Sequence, residues 1–346
     1  MKKVVIIGGG FAGSNVAKKL DGKCDLTLID AEDFFEYTPG ILRTLVEPEH
    51  YRKLHVKHSE YLLKTKIIVG HVKEIKDKII IMNNGKKINY DYLVIASGSS
   101  YNSPIKEQDI FFATRVKNLL ESYKKIQKSK KIIVVGGGVV GVELASEIAT
   151  HYPEIKITLV HSGSRLIERN DIKSSRCAEY FLNRKRVKII FNEIIVNRGN
   201  KKLVGKSGAK YDYDSVFFTV GIKPNVEFMT GNMRKFVSKG IIVNEYLQIP
   251  QMKNVFVAGD VSNIVEEKTA QNAEYHGKVV AYNVLALINN LELKKYVPKK
   301  RLMVISLGKY SGIIEYGSFV MTGWIPALFK WMIEKMVMSK FLFKMW

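Results

Sequence analysis

The 346-residue sequence contains only two cysteines, Cys24 and Cys177, and they lie far apart in the chain. Neither belongs to a CxxC pair or to a metal-type spacing, so we interpret both as small apolar side chains in a reducing compartment. This excludes chemistry that requires two neighbouring cysteines. The seven histidines show no HExxH or other paired ligand spacing, and we predict no metal. We interpret the neighbouring His50, His55 and His58 as a polar loop face.

Long apolar runs are also missing. No stretch of about 18 uncharged apolar residues occurs, so we do not expect a membrane-spanning helix. The first residues lead directly into an apolar strand, without the pattern of a secretory signal. We therefore expect a cytoplasmic protein.

Acidic residues are scarce, with 33 Asp plus Glu against 55 Lys plus Arg, which gives a net charge of +22. Such a charge favours anionic partners in general, including nucleotides, nucleic acid and acidic lipids. The basic residues are spread along the chain and form no compact stripe interleaved with aromatic residues, so we expect no nucleic-acid binding. The net charge therefore identifies no single partner.

One pattern occurs twice. Residues 3–13 read KVVIIGGGFAG, and residues 131–141 read KIIVVGGGVVG. Each copy predicts an apolar strand, a glycine turn and a helix, and a second strand follows at residues 26–29 and 155–160. Two such βαβ units predict an α/β fold with two Rossmann-like dinucleotide-binding domains.

The first glycine loop has the spacing Gly8-x-Gly10-x-x-Gly13 between a strand and a helix. These glycines allow a tight turn, close approach of a pyrophosphate, and close packing of helix on strand. The N-terminus of the helix presents free N–H groups to the phosphates. Asp30 ends the next strand, where a carboxylate can accept hydrogen bonds from a ribose. The loop therefore predicts dinucleotide binding.

The second loop, Gly136-x-Gly138-x-x-Gly141, has the same context, but its second strand ends at His161 instead of an acid. Residues 161–165 lack the carboxylate that would repel a 2′-phosphate, and His161 and Arg165 can hold one. We slightly favour acceptance of NADPH. The alternative is that these are ordinary loop residues and that NADH binds.

Further apolar strands end in glycine-containing turns. Residues 96–98 end one strand after the first unit, Gly221 ends one after the second, and residues 254–260 form another beyond it. We infer that the second domain is inserted into the first. The predicted boundaries are 1–112 and 245–297 for the first domain, 113–244 for the second, and 298–346 for a C-terminal region.

This layout resembles the two-dinucleotide-binding-domain flavoproteins, which have a glutathione-reductase-like arrangement, over nearly the full chain. It is most similar to type II NADH dehydrogenases and to apoptosis-inducing-factor-like, ferroptosis-suppressor-like NAD(P)H:quinone oxidoreductases. The matching segments are the two glycine loops and residues 96–98, 152–162, 255–260 and 307–312.

The resemblance implies that the first loop and Asp30 bind the adenosine half of FAD and that the second loop binds NADH or NADPH. It also implies that Asp260 binds the ribityl–phosphate region and that residues 35–40 border the isoalloxazine. The cofactor-binding residues that we assign are Gly8, Gly10, Phe11, Ala12, Gly13, Asp30, Pro39, Val72, Ala96, Ser97, Gly98, Gly136, Gly138, Gly141, His161, Arg165, Gly221, Gly259, Asp260 and Ala270.

Residues 269–273 resemble the start of the AQxAxQQ helix of type II dehydrogenases, whose N-terminus faces the flavin and the quinone. The sequence departs from that motif at Tyr275 and His276, where two glutamines are usual. The catalytic residues that we assign are Glu143, Glu147, Gln271 and Lys309. The two glutamates share one helix face, and in the resembled enzymes acids here lie near the nicotinamide or flavin. The alternatives are a solvated helix face, for Glu147 in particular, and a surface position for Lys309.

From Pro326 the chain has the pattern of an amphipathic helix. One arc of about 120° carries nearly all of its charges, and the remaining face is apolar and aromatic. The charged residues of this arc are Lys330, Glu334, Lys340 and Lys344, whereas Trp331 and Trp346 belong to the apolar face. Upstream basic residues can attract anionic lipid, namely Lys294, Lys295, Lys299, Lys300 and Arg301. We expect a helix that lies peripherally on the inner face of the membrane. The alternative is packing on the protein or on a second subunit, and a homodimer is left open.

The leading functional hypothesis is an FAD-dependent NAD(P)H:quinone oxidoreductase. The alternative is a soluble NAD(P)H-dependent reductase of a ferredoxin- or rubredoxin-like carrier, which the basic surface would suit if the carrier is acidic. Sulfide:quinone chemistry is disfavoured because it requires cysteines at the flavin.

Overall fold

The computed structural model describes residues 1–100, 112–199, 201–300 and 302–342. The elements before residue 101 are β1 (Lys3–Ile7), α1 (Phe11–Leu20), β2 (Asp25–Asp30), β3 (Phe34–Glu36), α2 (Ile41–Thr44), β4 (His55–Lys57), α3 (His58–Tyr61), β5 (Lys66–Val69), β6 (Val72–Lys76), β7 (Ile79–Met82), β8 (Lys87–Asn89), β9 (Tyr92–Ile95) and β10 (Ser99–Ser100). Short 3-10 turns occupy Thr38–Gly40 and Pro48–Lys53.

The middle of the chain contains a second strand–helix–strand unit (β11, α5, β12). Its elements are α4 (Phe112–Lys128), β11 (Lys131–Val135), α5 (Val139–His151), β12 (Lys156–Val160), α6 (Ile172–Arg184), β13 (Lys188–Ile190), β14 (Ile195–Gly199), β15 (Lys202–Gly205), β16 (Lys210–Asp212), β17 (Ser215–Phe218) and β18 (Lys223–Pro224), followed by a 3-10 turn at Gly231–Phe236. The remaining elements are β19 (Gln248–Ile249), β20 (Met252–Val257), α7 (Ala270–Ile288), β21 (Met303–Ser306), β22 (Gly312–Tyr316), β23 (Phe319–Gly323) and α8 (Trp324–Leu342).

The first large sheet has six strands in the order β19-β20-β9-β1-β2-β5. All neighbours are parallel except β19 and β20. Its central strand β1 is apolar without alternation and buried from Val4 onward, as expected for a parallel strand covered on both faces. Strand β20 joins this sheet from beyond the second unit. That pairing is the observation that supports our proposed boundaries 1–112 and 245–297, with 113–244 inserted; residues 101–111 lie outside the described part.

The second large sheet has four parallel strands in the order β13-β12-β11-β17. In each half, an antiparallel three-stranded sheet (β6-β7-β8 or β14-β15-β16) precedes the last parallel strand of its βαβ unit. Strands β10 and β18 pair through Ser99 and Pro224 and so connect the two halves. The prediction of an α/β fold with two Rossmann-like units is confirmed.

The C-terminal region forms the antiparallel sheet β21-β22-β23 and then α8, which begins at Trp324, two residues before the predicted start. Among the described residues, no helix has both the length and the apolar character needed to cross a membrane. Helix α8 packs on the protein through Val337, Met338 and Phe341, all buried. Phe341 stacks on Phe35 with ring centroids 4.1 Å apart.

The charged arc of α8 faces the protein. Two of its residues make ion pairs with other elements, Lys330 with Glu143 and Lys340 with Glu274, and a Glu334 oxygen lies 3.2 Å from His50 Nε2. The opposite, outward face is apolar and exposed, and its residues are Trp324, Ile325, Leu328, Trp331, Met332 and Met336. Packing on the protein, which we gave as an alternative, is therefore right for one face of the helix only. Lys344, Trp346 and Arg301 lie outside the described residues.

Candidate functional site

The first glycine loop has the three steric properties that its spacing predicts. Gly8 has a φ of +99°, and a Cβ there would lie 2.3 Å from the carbonyl oxygen of Ala96. A Cβ at Gly13 would lie 1.8 Å from the Gly8 carbonyl oxygen, so this glycine allows helix and turn to touch. Gly10, in contrast, has no atom within 4 Å of a Cβ position and leaves open space. No side chain caps α1 at Gly10, which leaves its first N–H groups free for a phosphate.

A cavity of about 740 Å³ lies against this loop. The assigned cofactor residues that line it are Gly8, Gly10, Phe11, Ala12, Asp30, Pro39, Val72, Ala96, Ser97, Gly98, Gly259, Asp260 and Ala270, and two assigned catalytic residues, Glu143 and Gln271, line it as well. The volume, the open loop and the polar groups at its edge are those that a dinucleotide such as FAD requires. Gly13, Glu147 and Lys309 are not part of its wall. Of the second glycine loop, Val139 and Val140 line the cavity, whereas Gly136, Gly138 and Gly141 do not.

Asp30 ends β2 at the cavity wall, and neighbouring protein groups fix its carboxylate. Its Oδ1 accepts a hydrogen bond from the Ala31 N–H at 2.9 Å, and its Oδ2 lies 2.9 Å from His58 Nε2. His58 is fully buried, and His50 is buried against Glu334. The prediction of a polar loop face is therefore wrong for His50 and His58, because both are buried and contact carboxylates on other elements. His55 is half-buried.

The loop after β20 is fixed by two further hydrogen bonds. Ser99 Oγ donates to Asp260 Oδ2 at 2.8 Å, and the Gly259 N–H donates to His276 Nδ1 at 3.0 Å. His276 Nε2 lies 2.8 Å from a Glu266 oxygen. His276 therefore fixes the loop after β20 from a position outside the cavity. Neither Tyr275 nor His276 lines the cavity, whereas Gln271 and Glu274 on the same helix do.

Glu143 and Lys330 form an ion pair in the cavity wall. The Lys330 Nζ and Glu143 Oε1 atoms are 2.5 Å apart, and the same oxygen accepts the Ser306 N–H at 2.8 Å. Glu143 is 7% exposed and Glu147 2% exposed, so the alternative of a solvated helix face is wrong for both. Glu147 pairs instead with Arg43 at 3.0 Å, outside the cavity.

Lys309 is placed at the surface and pairs with Glu47 at 2.7 Å. His151 contacts the same Glu47 oxygen at 2.8 Å. Partial burial alone would raise the pKa of Glu47, but the hydrogen bonds from Lys309 and His151 outweigh it and lower the pKa to about 2. The structure thus matches the surface alternative for Lys309.

Sequence reasoning missed a charged group at one end of the cavity. Arg115 on α4 is buried and donates to both carboxylate oxygens of Glu36 at 3.1 Å. Glu32 lies nearby; burial, with Glu36 and Asp30 adding negative charge, raises its pKa to about 9. All three residues line the cavity. The only sequence signal was the position of the two glutamates just after the strand that ends in Asp30.

The second glycine loop has the same geometry as the first. Gly136 has a φ of +117°, and a Cβ at Gly141 would lie 1.8 Å from the Gly136 carbonyl oxygen, whereas Gly138 is open. Gly221, at the end of the neighbouring strand region, has a φ of +81°. His161 Nδ1 accepts the Gly137 N–H at 3.1 Å. This loop can therefore approach the phosphates of a second dinucleotide.

The segment after His161 contains the charged residues Arg165, Glu168 and Arg169, and the side chains of the first two are held within the segment. Arg165 donates to the Asn170 carbonyl oxygen at 3.0 Å and to that of Glu168, so its guanidinium is held by its own loop. The Glu168 carboxylate accepts the Ser164 N–H at 3.1 Å. An acid therefore lies in the loop after all, seven residues beyond the position where sequence reasoning looked for it.

Two open glycine loops, an acid at the end of β2 and a dinucleotide-sized cavity define a flavin-dependent oxidoreductase that uses a nicotinamide nucleotide. The sequence model of the pyridine nucleotide-disulphide oxidoreductase family matches residues 2–277, and the chain belongs to this family. It is an FAD-dependent NAD(P)H oxidoreductase. Its two cysteines do not line the cavity, so the disulphide chemistry in the family name has no counterpart there.

The chain is similar to named relatives over almost its full length. Apoptosis-inducing factor homolog B of Dictyostelium discoideum is 31% identical, with 99% of this chain and 95% of the relative covered. Ferroptosis suppressor protein 1 of Xenopus laevis is 30% identical, with 92% and 89% covered. The sulfide:quinone oxidoreductase of Aquifex aeolicus has the same fold, with a TM-score of 0.85 at 22% identity and coverage of 99% and 92%. The resemblance inferred from the sequence is confirmed.

Proposed function

We propose that the electron acceptor is a quinone that enters the cavity beside α8. The observation that carries this proposal is the continuity of the cavity, whose wall includes the first glycine loop and also Lys330, Ile333 and Val337 of α8. An acceptor in contact with the apolar residues of α8 would lie in the same cavity as the cofactor. A quinone is also the substrate named for the sulfide:quinone oxidoreductase of the same fold.

Bound FAD supplies the two-electron chemistry, taking electrons from the nicotinamide and passing them to the acceptor. The residues of the chain bind, orient and exclude water. Burial raises the pKa of Tyr37, and the carboxylates of Glu334 and Glu143 raise it further, so the Tyr37 hydroxyl keeps its proton. Tyr37 and Lys330 both line the cavity and are hydrogen-bond donors suited to a carbonyl oxygen. Their protons favour the negative charge that develops on a quinone oxygen during reduction.

We propose the apolar outer face of α8 as the membrane-binding surface. Trp324 and Trp331 are 67% and 51% exposed, and Lys335 Nζ lies 6.0 Å from the Trp331 ring centroid. Exposed tryptophans beside a lysine on an apolar helix face are typical of helices that lie in the lipid interface. A helix with its inner face on the quinone cavity and its outer face in lipid would connect the two. The inner face of the cytoplasmic membrane is the location that this proposal favours.

For the nucleotide, we propose that NADH is preferred. The Glu168 carboxylate at the Ser164 N–H would repel a 2′-phosphate and can accept a hydrogen bond from a 2′-hydroxyl. Arg165 is already engaged by two carbonyl oxygens. These two contacts support NADH, whereas the sequence alone slightly favoured acceptance of NADPH.

The nucleotide proposal is tested by comparing kcat/KM for NADH and NADPH in the wild type and in Glu168→Gln. Removing the negative charge should raise the NADPH-to-NADH ratio by about tenfold, which corresponds to about 1.4 kcal/mol of relieved repulsion. Glu121→Gln, at an exposed position of α4, is the charge-matched control and should leave the ratio unchanged. A wild-type enzyme that uses both nucleotides equally well would contradict the proposal.

The acceptor proposal is tested by steady-state turnover with a short-chain quinone and with an iron–sulfur protein. Ile333→Trp enlarges a side chain in the cavity wall, and Met332→Trp makes the same change on the outward face of α8. Overpacking costs about 1–3 kcal/mol, so Ile333→Trp should lower kcat/KM for the quinone by about tenfold or more, and Met332→Trp should not. Faster turnover with the iron–sulfur protein, insensitive to both variants, would instead favour the soluble carrier reductase.

A further inference from the structure

A chain of hydrogen bonds runs from Asp30 through the protein interior back to the first glycine loop. Asp30 Oδ2 lies 2.9 Å from His58 Nε2, and His58 Nδ1 lies 2.6 Å from the Tyr61 hydroxyl. The Tyr61 hydroxyl lies 2.8 Å from Ser14 Oγ, which contacts the carbonyl oxygen of Gly9. His58, Tyr61 and Ser14 are all buried. Two parts of the cofactor site, the acid and the glycine loop, are thus joined by three side chains.

The protons that these four hydrogen bonds require can be counted from the Gly9 carbonyl oxygen. A carbonyl oxygen only accepts, so Ser14 donates its one proton to Gly9 and must accept from Tyr61. Burial raises the pKa of Tyr61, whose hydroxyl therefore has one proton, already given to Ser14. The Tyr61 oxygen must then accept a hydrogen bond from His58 Nδ1. The contact between His58 Nε2 and Asp30 still needs a proton of its own. Four bonds require four protons, and a neutral imidazole with an ionised Asp30 provides only three.

Gly9 admits this arrangement because it has no side chain. A Cβ there would lie 2.3 Å from Asp30 Oδ2 and 2.5 Å from the His58 ring. This position is a variable one in the fingerprint, so the dinucleotide does not itself require glycine. In the second loop the corresponding Gly137 packs on His161, which accepts a hydrogen bond from the backbone. Within the described part of the chain, His161 is not paired with an acid as His58 is with Asp30.

We propose that His58 is a positioning residue for FAD, which shares a proton with Asp30 and fixes both the ribose-binding carboxylate and the Gly9 carbonyl. The inference rests on the proposed role of Asp30 in binding the adenosine ribose. With the proton present, Asp30 Oδ2 is held by His58, and Oδ1 has a lone pair left for the ribose beside its bond from Ala31. Without this proton, one of the four contacts brings two lone pairs together instead of a donor and an acceptor, and the site loses its fixed geometry.

The other end of the series is packed against α8. The Phe341 ring packs edge-on against Tyr61, and the Lys18 ammonium lies 5.0 Å from the Phe341 ring centroid.

The test is the dissociation constant of FAD from the full-length protein, followed by the recovery of free-flavin fluorescence. Asp30→Asn and His58→Gln should each weaken FAD binding by about tenfold, the loss expected for one charge-assisted hydrogen bond. In the double variant the effect of His58→Gln should disappear, because it acts through Asp30. Independent, multiplicative effects would show a general structural role for His58 and overturn the proposal. If Asp30→Asn leaves the affinity unchanged, the assignment of Asp30 itself fails, and the inference fails with it.

A second measurement needs no change at the buried histidine. Tyr61→Phe keeps the ring and removes the hydroxyl, so His58 Nδ1 loses its partner in the series of hydrogen bonds. FAD binding should weaken several-fold in Tyr61→Phe, and the same change should have little effect when it is made in Asp30→Asn. An FAD affinity unchanged by Tyr61→Phe, or a loss of equal size in the wild type and in Asp30→Asn, would contradict the proposal.

Discussion

The charged side chains of the candidate site act in pairs whose members are far apart in sequence. Glu143 and Lys330 are separated by 187 positions, and Arg115 and Glu36 by 79. Charged side chains in a buried site are stable only when they are paired, because removing an ion from water costs several kcal/mol. The local sequence around each residue therefore indicates a charge, and only the fold shows which partner allows its burial.

The Glu143–Lys330 pair gives a prediction about stability. Glu143→Gln keeps an acceptor for the Ser306 N–H and leaves the largely buried Lys330 without its counter-ion. We expect urea denaturation to show a free energy of unfolding lower by about 3 kcal/mol. Lys330→Gln should have a similar effect. The double variant should be more stable than the sum of the two losses implies; strict additivity would show that the two side chains do not interact.

Glu47 gives a prediction about pH. Its pKa is lowered to about 2, so its pairing with Lys309 and His151 stabilises the folded state above the pKa of an unfolded glutamate, about 4.3. That contribution should be lost as the pH falls from about 5 to about 2. The melting temperature of Glu47→Gln should therefore converge on that of the wild type in this range. Glu49→Gln, an exposed carboxylate nearby, is the control; equal convergence in that variant would contradict the assignment.

At the scale of elements, the glycine loops could be predicted and the direction of α8 could not. Strand, turn and helix around Gly8 or Gly136 are adjacent in sequence, so spacing alone fixes their relation. The periodicity of α8 defines its charged arc but does not say which side of the helix faces the protein. The partners that turn this arc inward, Glu143 and His50 among them, are provided by other elements.

The outward face of α8 gives a prediction about membrane binding. Replacing Trp324, Leu328 and Trp331 together by serine removes exposed apolar surface and leaves the buried residues of the helix, Val337, Met338 and Phe341, in place. We expect cosedimentation with vesicles containing anionic lipid to weaken by about tenfold or more. The matched control replaces three exposed apolar residues elsewhere by serine, Leu63, Tyr180 and Leu291, which are at least as exposed on average. Equal loss in both variants, or none in the first, would contradict a specific membrane role for this face.

For the whole molecule, sequence patterns predicted the two Rossmann-like units and the family, since both depend on local motifs repeated along the chain. They did not predict His58, because its partner Asp30 lies 28 positions away and its neighbours in sequence are polar. They also did not show that the first loop and α8 share one cavity, since that contact joins opposite ends of the chain. The proposed acceptor depends on this long-range feature.

The account as a whole is tested most directly by anaerobic reduction and reoxidation of the flavin. NADH added without oxygen should bleach the flavin absorbance of the purified protein, and a short-chain quinone added next should restore it within one turnover. An iron–sulfur protein added in place of the quinone should restore it much more slowly. A flavin that stays oxidised with both NADH and NADPH, or that is reduced but not reoxidised by any quinone, would contradict the account.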